Sequence, residues 1–338
     1  MEDTPIEIWK LIALYLKPGI MAIVSKAFDI YDETWYRDYL LMRYDETEIV
    51  DRAFSFKELC RRSLSEGLLY TYDECTMMKT NLGINAIYAI PQCYIFVEHY
   101  ILKFNGDLIA VDNDNMASNI IDRDVIYLDI DCYVKKTELY FRNFDEFEKI
   151  TFLPTDTPIM GIQFICTDHL LSLCQFYTFD AIYFNYNDIS DTIEIQKFDI
   201  KYKIIKTYTR MLNNNKYITY ILTTNRTLLI YFNKNFIVDP VIINNVDDIG
   251  INYLYIDNKY YYTGNTDLNF CDFNINNFVC VTNDIKTDLE TSNSYAILIT
   301  NNKMMCIDSD GVILTSFVTD TKIKKIFGSK YFIYLIEY

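Results

Sequence analysis

The sequence predicts two parts, a small all-α module at the N-terminus and a much larger all-β region behind it. Three observations carry that expectation. Between Thr4 and Leu40 apolar residues recur at helical spacing behind helix-start signals. From Leu68 onwards the period changes to alternation, with turn residues roughly every 8–12 positions. Inside the alternating region one hairpin template repeats, which points to an array of similar β units.

The helical part opens at Thr4-Pro5-Ile6-Glu7. A threonine with a glutamate three residues on is a capping box, and Pro5 takes the first helical position, where its missing N–H costs nothing. Ile8, Leu11, Ile12, Tyr15 and Leu16 then form one apolar stripe, and Lys17-Pro18-Gly19 ends the helix. A second apolar turn runs from Ile20 to Val24 and on through Ser25, Lys26, Ala27 and Phe28. Asp32 caps a third helix carrying Trp35, Tyr36, Tyr39 and Leu40.

In order and spacing, Pro5, Glu7, Ile8, Ile12, Leu16, Val24, Ser25, Lys26, Phe28 and Trp35 resemble the F-box family, which reads Pro-x-Glu-hydrophobic, then Val-Cys/Ser-Lys/Arg-x-Phe/Trp, then a tryptophan opening the last helix. Thr4 departs from the leucine usual there, and the Pro18-Gly19 turn is shorter than most. The resemblance implies a docking surface for a Skp-type adaptor, made of Pro5, Ile8, Ile12, Leu16, Ile20 and Val24. A bland alternative is an unrelated helical cap on a larger domain. Residues 1–45 are assigned to this module. Residues 46–66 form a charged linker with one more helix, started by a second capping box at Ser55 and Glu58 and ended at Gly67.

Residues 67–338 hold the repeats. His99–Val111, Thr219–Tyr231 and Tyr295–Ile307 align without a gap: an apolar strand, a turn starting at Asn105, Asn225 or Asn301, and a second apolar strand. Ile251–Thr263 fits with Asp257-Asn258 at its turn, and Ile130–Arg142 and His169–Asn185 are looser copies. The first apolar residues after the turns are Leu108, Leu139, Ile182, Leu228, Tyr260 and Met304, whose separations of 31, 43, 46, 32 and 44 average about 40. Another apolar strand start precedes each hairpin, at Ile87, Val125, Ile162, Ile204, Ile249 and Ile285. A seventh start, at Ile323, leads into Tyr331–Ile336 and lacks its outer partner, while Gly67–Asp73 looks like a post-turn strand with no start before it. Pairing Leu68–Asp73 with Phe332–Glu337 would remove both exposed edges. The expectation is therefore a seven-bladed β-propeller closed by its terminal segments. In layout the repeats resemble those of the regulator-of-chromosome-condensation family, but that family is glycine-rich and only Gly106 occupies the hairpin glycine position here; Arg226, Asn258 and Asn302 stand at its equivalents. No functional residue follows from that likeness.

Composition narrows the chemistry. Half of the chain is hydrophobic and 16% is aromatic, with 30 Tyr and 22 Phe, which excludes disorder and favours strands. The net charge is −16, of which residues 66–338 carry −13, and no basic cluster exceeds Arg61-Arg62, so nucleic acid is not an expected partner. Nine scattered cysteines without a Cys-x-x-Cys, and an acidic start without a signal pattern, fit a reducing compartment, cytoplasm or nucleus. No apolar run approaches the ~20 residues of a membrane span.

His99 and His169 are too few for a zinc site or a serine triad and read as structural. Asp112-Asn113-Asp114-Asn115 imitates a calcium loop but has Ala117 and Arg123 where glycine and glutamate are required. Asp129 and Asp131 could form an acid–base pair, though alternation with a solvated face explains them more simply. Tyr260, Tyr261 and Tyr262 read as packing before recognition.

No catalytic residue, cofactor or metal is assigned. By the resemblance, the protein would be a substrate-recognition subunit of a Skp–cullin–F-box ubiquitin ligase, with the adaptor and through it a cullin on the helices and a protein substrate on the β region. The acidic β region favours a basic substrate. The alternative is a non-catalytic scaffold or sequestering binder outside any ligase.

Overall fold

The computed structural model describes residues 6–17, 20–21, 32–73, 76–90, 98–112, 117–129, 132–143, 146–153, 155–167, 170–187, 193–212, 216–232, 239–249, 253–256, 259–263, 270–273, 279–280, 295–300, 302–307, 313–328 and 331–337. Among the described residues four helices come first: α1 (Ile6–Leu14), α2 (Glu33–Leu41), α3 (Glu46–Ile49) and α4 (Phe56–Arg62). The expected caps hold two of them. The Asp32 carboxylate accepts from Trp35 N at 2.9 Å, and Ser55 Oγ accepts from Glu58 N at 3.2 Å. The capping box at Thr4 lies outside the described residues. The linker is more ordered than its charge implied, since Glu46–Ile49 makes a helical turn. Gly67 does not end α4, which stops at Arg62; it sits buried inside the first strand.

Among the described residues twenty-eight strands follow. They are β1 (Ser65–Asp73), β2 (Thr76–Asn81), β3 (Ala86–Ile90), β4 (Glu98–Lys103), β5 (Leu108–Asp112), β6 (Ser118–Asp122), β7 (Val125–Asp129), β8 (Cys132–Lys135), β9 (Glu138–Asn143), β10 (Glu146–Phe152), β11 (Gly161–Thr167), β12 (Leu170–Tyr177), β13 (Ala181–Asn187) and β14 (Ile193–Asp199). The chain continues through β15 (Ile204–Leu212), β16 (Lys216–Thr223), β17 (Leu228–Phe232), β18 (Val241–Ile243), β19 (Val246–Ile249), β20 (Tyr253–Ile256), β21 (Lys259–Thr263) and β22 (Phe270–Phe273). The last six are β23 (Val279–Cys280), β24 (Tyr295–Thr300), β25 (Lys303–Ile307), β26 (Ile313–Val318), β27 (Lys322–Gly328) and β28 (Tyr331–Glu337). They form four-stranded sheets in chain order, β3 to β6, β7 to β10, β11 to β14, β15 to β18, β19 to β22 and β23 to β26, plus a sheet ordered β2-β1-β28-β27.

The expected closed seven-bladed propeller is corrected by this arrangement. The sheets are separate and antiparallel, and among the described residues none closes on itself or is laddered to the next. The chain divides into two compact units, Met1–Ile130 with Cys280–Tyr338, and Asp131–Val279. The reason is physical. A hydrophobic repeat with a turn in it specifies a hairpin and the face it buries, which is local information. It does not specify how one repeat unit is set against another.

What the repeat did specify is present. Leu108, Leu139, Ile182 and Leu228, the first apolar residues after their turns, are all buried, as are the strand starts Val125, Ile162, Ile204, Ile249 and Ile323. The side chains of Tyr260 and Met304, and all of Ile285, lie outside what is described, as do Asn301 and Asp257-Asn258. The terminal pairing is present too: β1 and β28 run antiparallel from Ser65 opposite Glu337 to Thr71 opposite Tyr331. Aromatic content is used in cross-strand pairs, as in Tyr133 against Tyr140 at 4.6 Å and Phe176 against Tyr183 at 4.7 Å, both stacked.

The units also share a device at the turns. Val125 N donates to Gly106 O at 2.9 Å, and Val246 N donates to Arg226 O at 2.9 Å, so in both cases a hairpin turn accepts from the strand opening the following sheet. Gly106 and Arg226 both have positive φ, 89° and 63°. So do Asp124 and Asn245, each directly before the donating valine.

Candidate docking site on the N-terminal helices

The stripe read from the sequence on α1 points away from the core. Ile8, Leu11, Ile12 and Tyr15, spaced at three and four residues, are 46%, 59%, 44% and 77% exposed, and Ile20, further along the chain, is 49% exposed. What α1 buries is narrow: Ala13 joins a core with Met21, Trp35, Tyr36, Tyr39, Leu40, Ile49, Leu59, Cys60 and Phe104, and Leu14 and Leu16 pack against it.

Polar contacts compensate for so narrow an apolar footing. Trp35 Nε1 donates to Lys10 O at 2.9 Å. Arg43 donates to Leu14 O at 2.8 Å and to Leu16 O at 2.9 Å, supplying partners to carbonyls that a helix end leaves over. The same guanidinium lies 3.6 Å from the Tyr39 ring, which stacks on Trp35 at 5.3 Å. Burial pushes the Tyr39 phenol up to about 12, although Arg43 beside it acts in the opposite sense. Nothing in the local sequence marks Arg43. Its role depends on a helix ending 29 positions earlier in the chain, and no local pattern encodes that.

The module is fastened to the sheet β3 to β6 at one hairpin turn, Phe104-Asn105-Gly106-Asp107. Phe104 is buried among the helices, with its ring 4.5 Å from Tyr44. Arg52 reaches Asp107 at 2.6 Å, and Lys103 reaches Glu48 at 2.6 Å. Arg62 lies over the Phe54 ring at 3.8 Å and donates to Phe104 O at 3.3 Å. A Cβ on Gly106 would come within 2.8 Å of Phe54 Cε2 and 3.2 Å of Asp124 Cα. The hairpin glycine is kept where the helices sit on the turn. At the equivalent Arg226 the turn is exposed and a side chain fits.

The predicted adaptor residues therefore divide. Ile8, Ile12 and Ile20 are exposed, Leu16 is half-buried against the core, and Pro5 and Val24 lie outside the described residues. Leu11 and Tyr15 extend the same outward stripe, and their helical spacing was its signal in the sequence.

Elsewhere, no group of three or more His, Cys, Asp or Glu that could hold a metal gathers among the described residues. His99 is fully buried in β4, and His169 lies outside the description. Asp129 accepts from the Tyr127 hydroxyl at 2.8 Å, while Asp131 and residues 113–116 of the calcium-like loop are outside the described set. No helix among the described residues is long and apolar enough to cross a membrane.

No family model matches the chain, and no curated protein matches it. The F-box resemblance thus rests on its motif residues alone. Comparison with solved structures gives weak, low-identity likenesses. The WD40 domain of SCAP from fission yeast is 11% identical, with a TM-score of 0.41 over 66% of this chain and 59% of that one. BBS1N, solved in complex with ARL6DN, is 9% identical, with a TM-score of 0.48 over 75% of this chain and 90% of that one. PorZ, a surface component of the type-IX secretion system of Porphyromonas gingivalis, is 11% identical, with a TM-score of 0.50 over 77% of this chain and 37% of that one. At 11% identity the PorZ likeness bears on fold alone, and the two with TM-scores below 0.5 carry no argument.

Proposed function

We propose that the protein is a non-catalytic binding scaffold that docks a protein partner on the outward stripe of α1. One observation carries this reading. Ile8, Leu11, Ile12 and Tyr15 make a contiguous apolar face on a helix whose opposite side is anchored. Keeping such a face in water is unfavourable, and patches of this kind mark interaction sites on soluble proteins. Affinity purification with the full chain and with an Ile12→Asp variant tests it. Partners captured by the wild type should be lost from the variant, whose fold is monitored by circular dichroism. A partner set unchanged by the substitution would overturn the reading.

A second reading names the partner as a Skp-type adaptor, and through it a cullin-based ubiquitin ligase. The exposure of Ile8, Ile12 and Ile20 favours it, since these are three of the six positions that the F-box resemblance assigns to adaptor contact. Ile12 is a better probe than Leu16, because Leu16 also packs on the helical core and its truncation would mix stability with binding. Titration of a purified Skp-type adaptor decides it. Absence of binding by the wild type removes the adaptor and leaves the scaffold reading standing. A protein substrate on the acidic β region would be basic, with binding that weakens as salt rises.

A further inference from the structure

The unit Asp131–Val279 contains a buried polar cluster that the docking function does not use. Gln175 on β12 and Thr207, Thr209 and Thr219 on β15 and β16 are all buried. Gln163 on β11 stands directly opposite Gln175 in the ladder, so both side chains leave the same face of their sheet. Thr209 stands opposite Thr219, and Thr207 is two residues away on the same face of β15. The two faces meet: β11 packs on β15, and the Thr209 hydroxyl donates to Gln175 Oε1 while lying 3.0 Å from Thr219 Oγ1.

Three atoms of the cluster are buried without a hydrogen-bond partner among the described residues, namely Gln163 Oε1, Gln175 Nε2 and Thr207 Oγ1. A buried polar atom left unpaired forfeits the hydrogen bond it makes to water in the unfolded chain, and native proteins rarely leave one so. Here they come as a complementary set. Gln175 Nε2 is a donor, Gln163 Oε1 is an acceptor, and the threonine hydroxyl can be either. A direct bond between the two glutamine amides would satisfy two of them and still strand Thr207. A single water would satisfy all three, accepting from Gln175 and donating to Gln163 and Thr207. With the Gln175 amide turned over, the same water would donate to both glutamine oxygens and accept from Thr207. Buried waters typically make about three such bonds.

We propose that Gln163, Gln175 and Thr207 bind one structural water molecule between the sheets β11 to β14 and β15 to β18. The water ties the two sheets together through a polar contact beside the buried Thr209–Thr219 pair. A crystal structure of the full chain that resolves ordered solvent tests the site. The expected result is one density peak within about 3.2 Å of all three atoms. A direct Gln163–Gln175 amide bond with no peak, or a peak touching only one of the three, would overturn it. Thr207→Val keeps the shape of the side chain and removes the hydroxyl. In that variant the peak should be lost, and a peak unmoved by the substitution would equally overturn the assignment. Should the variant not fold, water-exchange NMR on the wild type reads the same site. A long-lived water cross-peak at the Gln175 side-chain amide is expected, and its absence counts against the proposal.

Discussion

Arg52 and Asp107 meet at 2.6 Å with both side chains only 5% exposed, and this pair joins the N-terminal helices to the turn between β4 and β5. A second Arg52 nitrogen lies 2.7 Å from Thr47 O, so the guanidinium spans from the linker to the sheet. Asp107 also accepts from Asn105 Nδ2 at 2.9 Å. Breaking a buried pair leaves a charge without compensation, which is far more costly than losing an exposed one.

Arg52→Ala should therefore destabilise the protein by about 3 kcal/mol, read as a shift of the urea midpoint. Lys103→Ala removes an ion pair of the same length, 2.6 Å, to Glu48, but that pair is more exposed. Its expected cost is about 1 kcal/mol or less. Equal effects of the two substitutions would show that burial does not decide their strength.

The turn glycine makes a second contrast. Gly106→Ala places a methyl against Phe54 and Asp124 at a φ of +89°, where an L-residue is already strained. A loss above about 1 kcal/mol is expected, since the neighbouring backbone cannot yield as a flexible side chain can. Arg226→Gly makes the reverse change at the equivalent exposed turn, relieving a positive φ of 63° at the expense of a surface contact to Asp247 at 2.7 Å. Its net effect should stay within about 0.5 kcal/mol. Denaturation of both variants, measured side by side, checks the pair.

These contrasts also mark what could be read from the chain. Leu108, Ile182 and Leu228 were legible as core because each follows a turn in a strand that alternates. That the segment Leu68–Asp73 pairs with Phe332–Glu337 was legible as a partnership, because the repeat template lacked a strand at one end and had one spare at the other, though the ladder itself runs from Ser65 to Thr71 against Glu337 to Tyr331. Gly106 was visible as an exception, yet its cause, Phe54, sits in a segment that reads as a charged linker. Arg43, Arg52 and Arg62 act through carbonyls and carboxylates distant in sequence, and nothing in a local window marks them. The division into two units was not legible either, because each repeat records its own sheet and not its neighbours' placement.

Three buried acids set the alkaline limit. Burial pushes the Cys60 and Cys174 thiols up to about 12, and raises Tyr39 to about 12 as well. The folded protein holds these protons where the unfolded chain releases them, so the unfolded state binds fewer protons as pH rises. The contribution of these three groups to stability should thus be constant up to about pH 8 and fall from about pH 9 towards 12. Urea unfolding followed across that range checks the sign. In the native state at pH 8 both cysteines should resist iodoacetamide, because alkylation needs a thiolate and these thiols are buried and protonated. Rapid labelling of Cys60 or Cys174 without loss of fold would contradict the packing.

The last prediction concerns β28, which lies between β1 and β27 and is laddered to both. A proline there removes one ladder donor, and central strands do not tolerate that. Ile333 pairs with Leu69 on one side and with Phe327 on the other, so Ile333→Pro strikes the strand at its middle. The expected cost is about 3 kcal/mol or more, and removing residues 331–338 should cost more still. The stronger expectation is cooperative. Losing β28 exposes the backbone of both β1 and β27, and β1 follows directly on α4, so the damage should reach the helical module as well as the terminal strands. Hydrogen exchange on the Ile333→Pro variant distinguishes the outcomes. Loss of protection in β1, β27 and α2 together is expected, whereas fraying confined to residues 331–337 would mean that the terminal strand is an accessory to the sheet and not its centre.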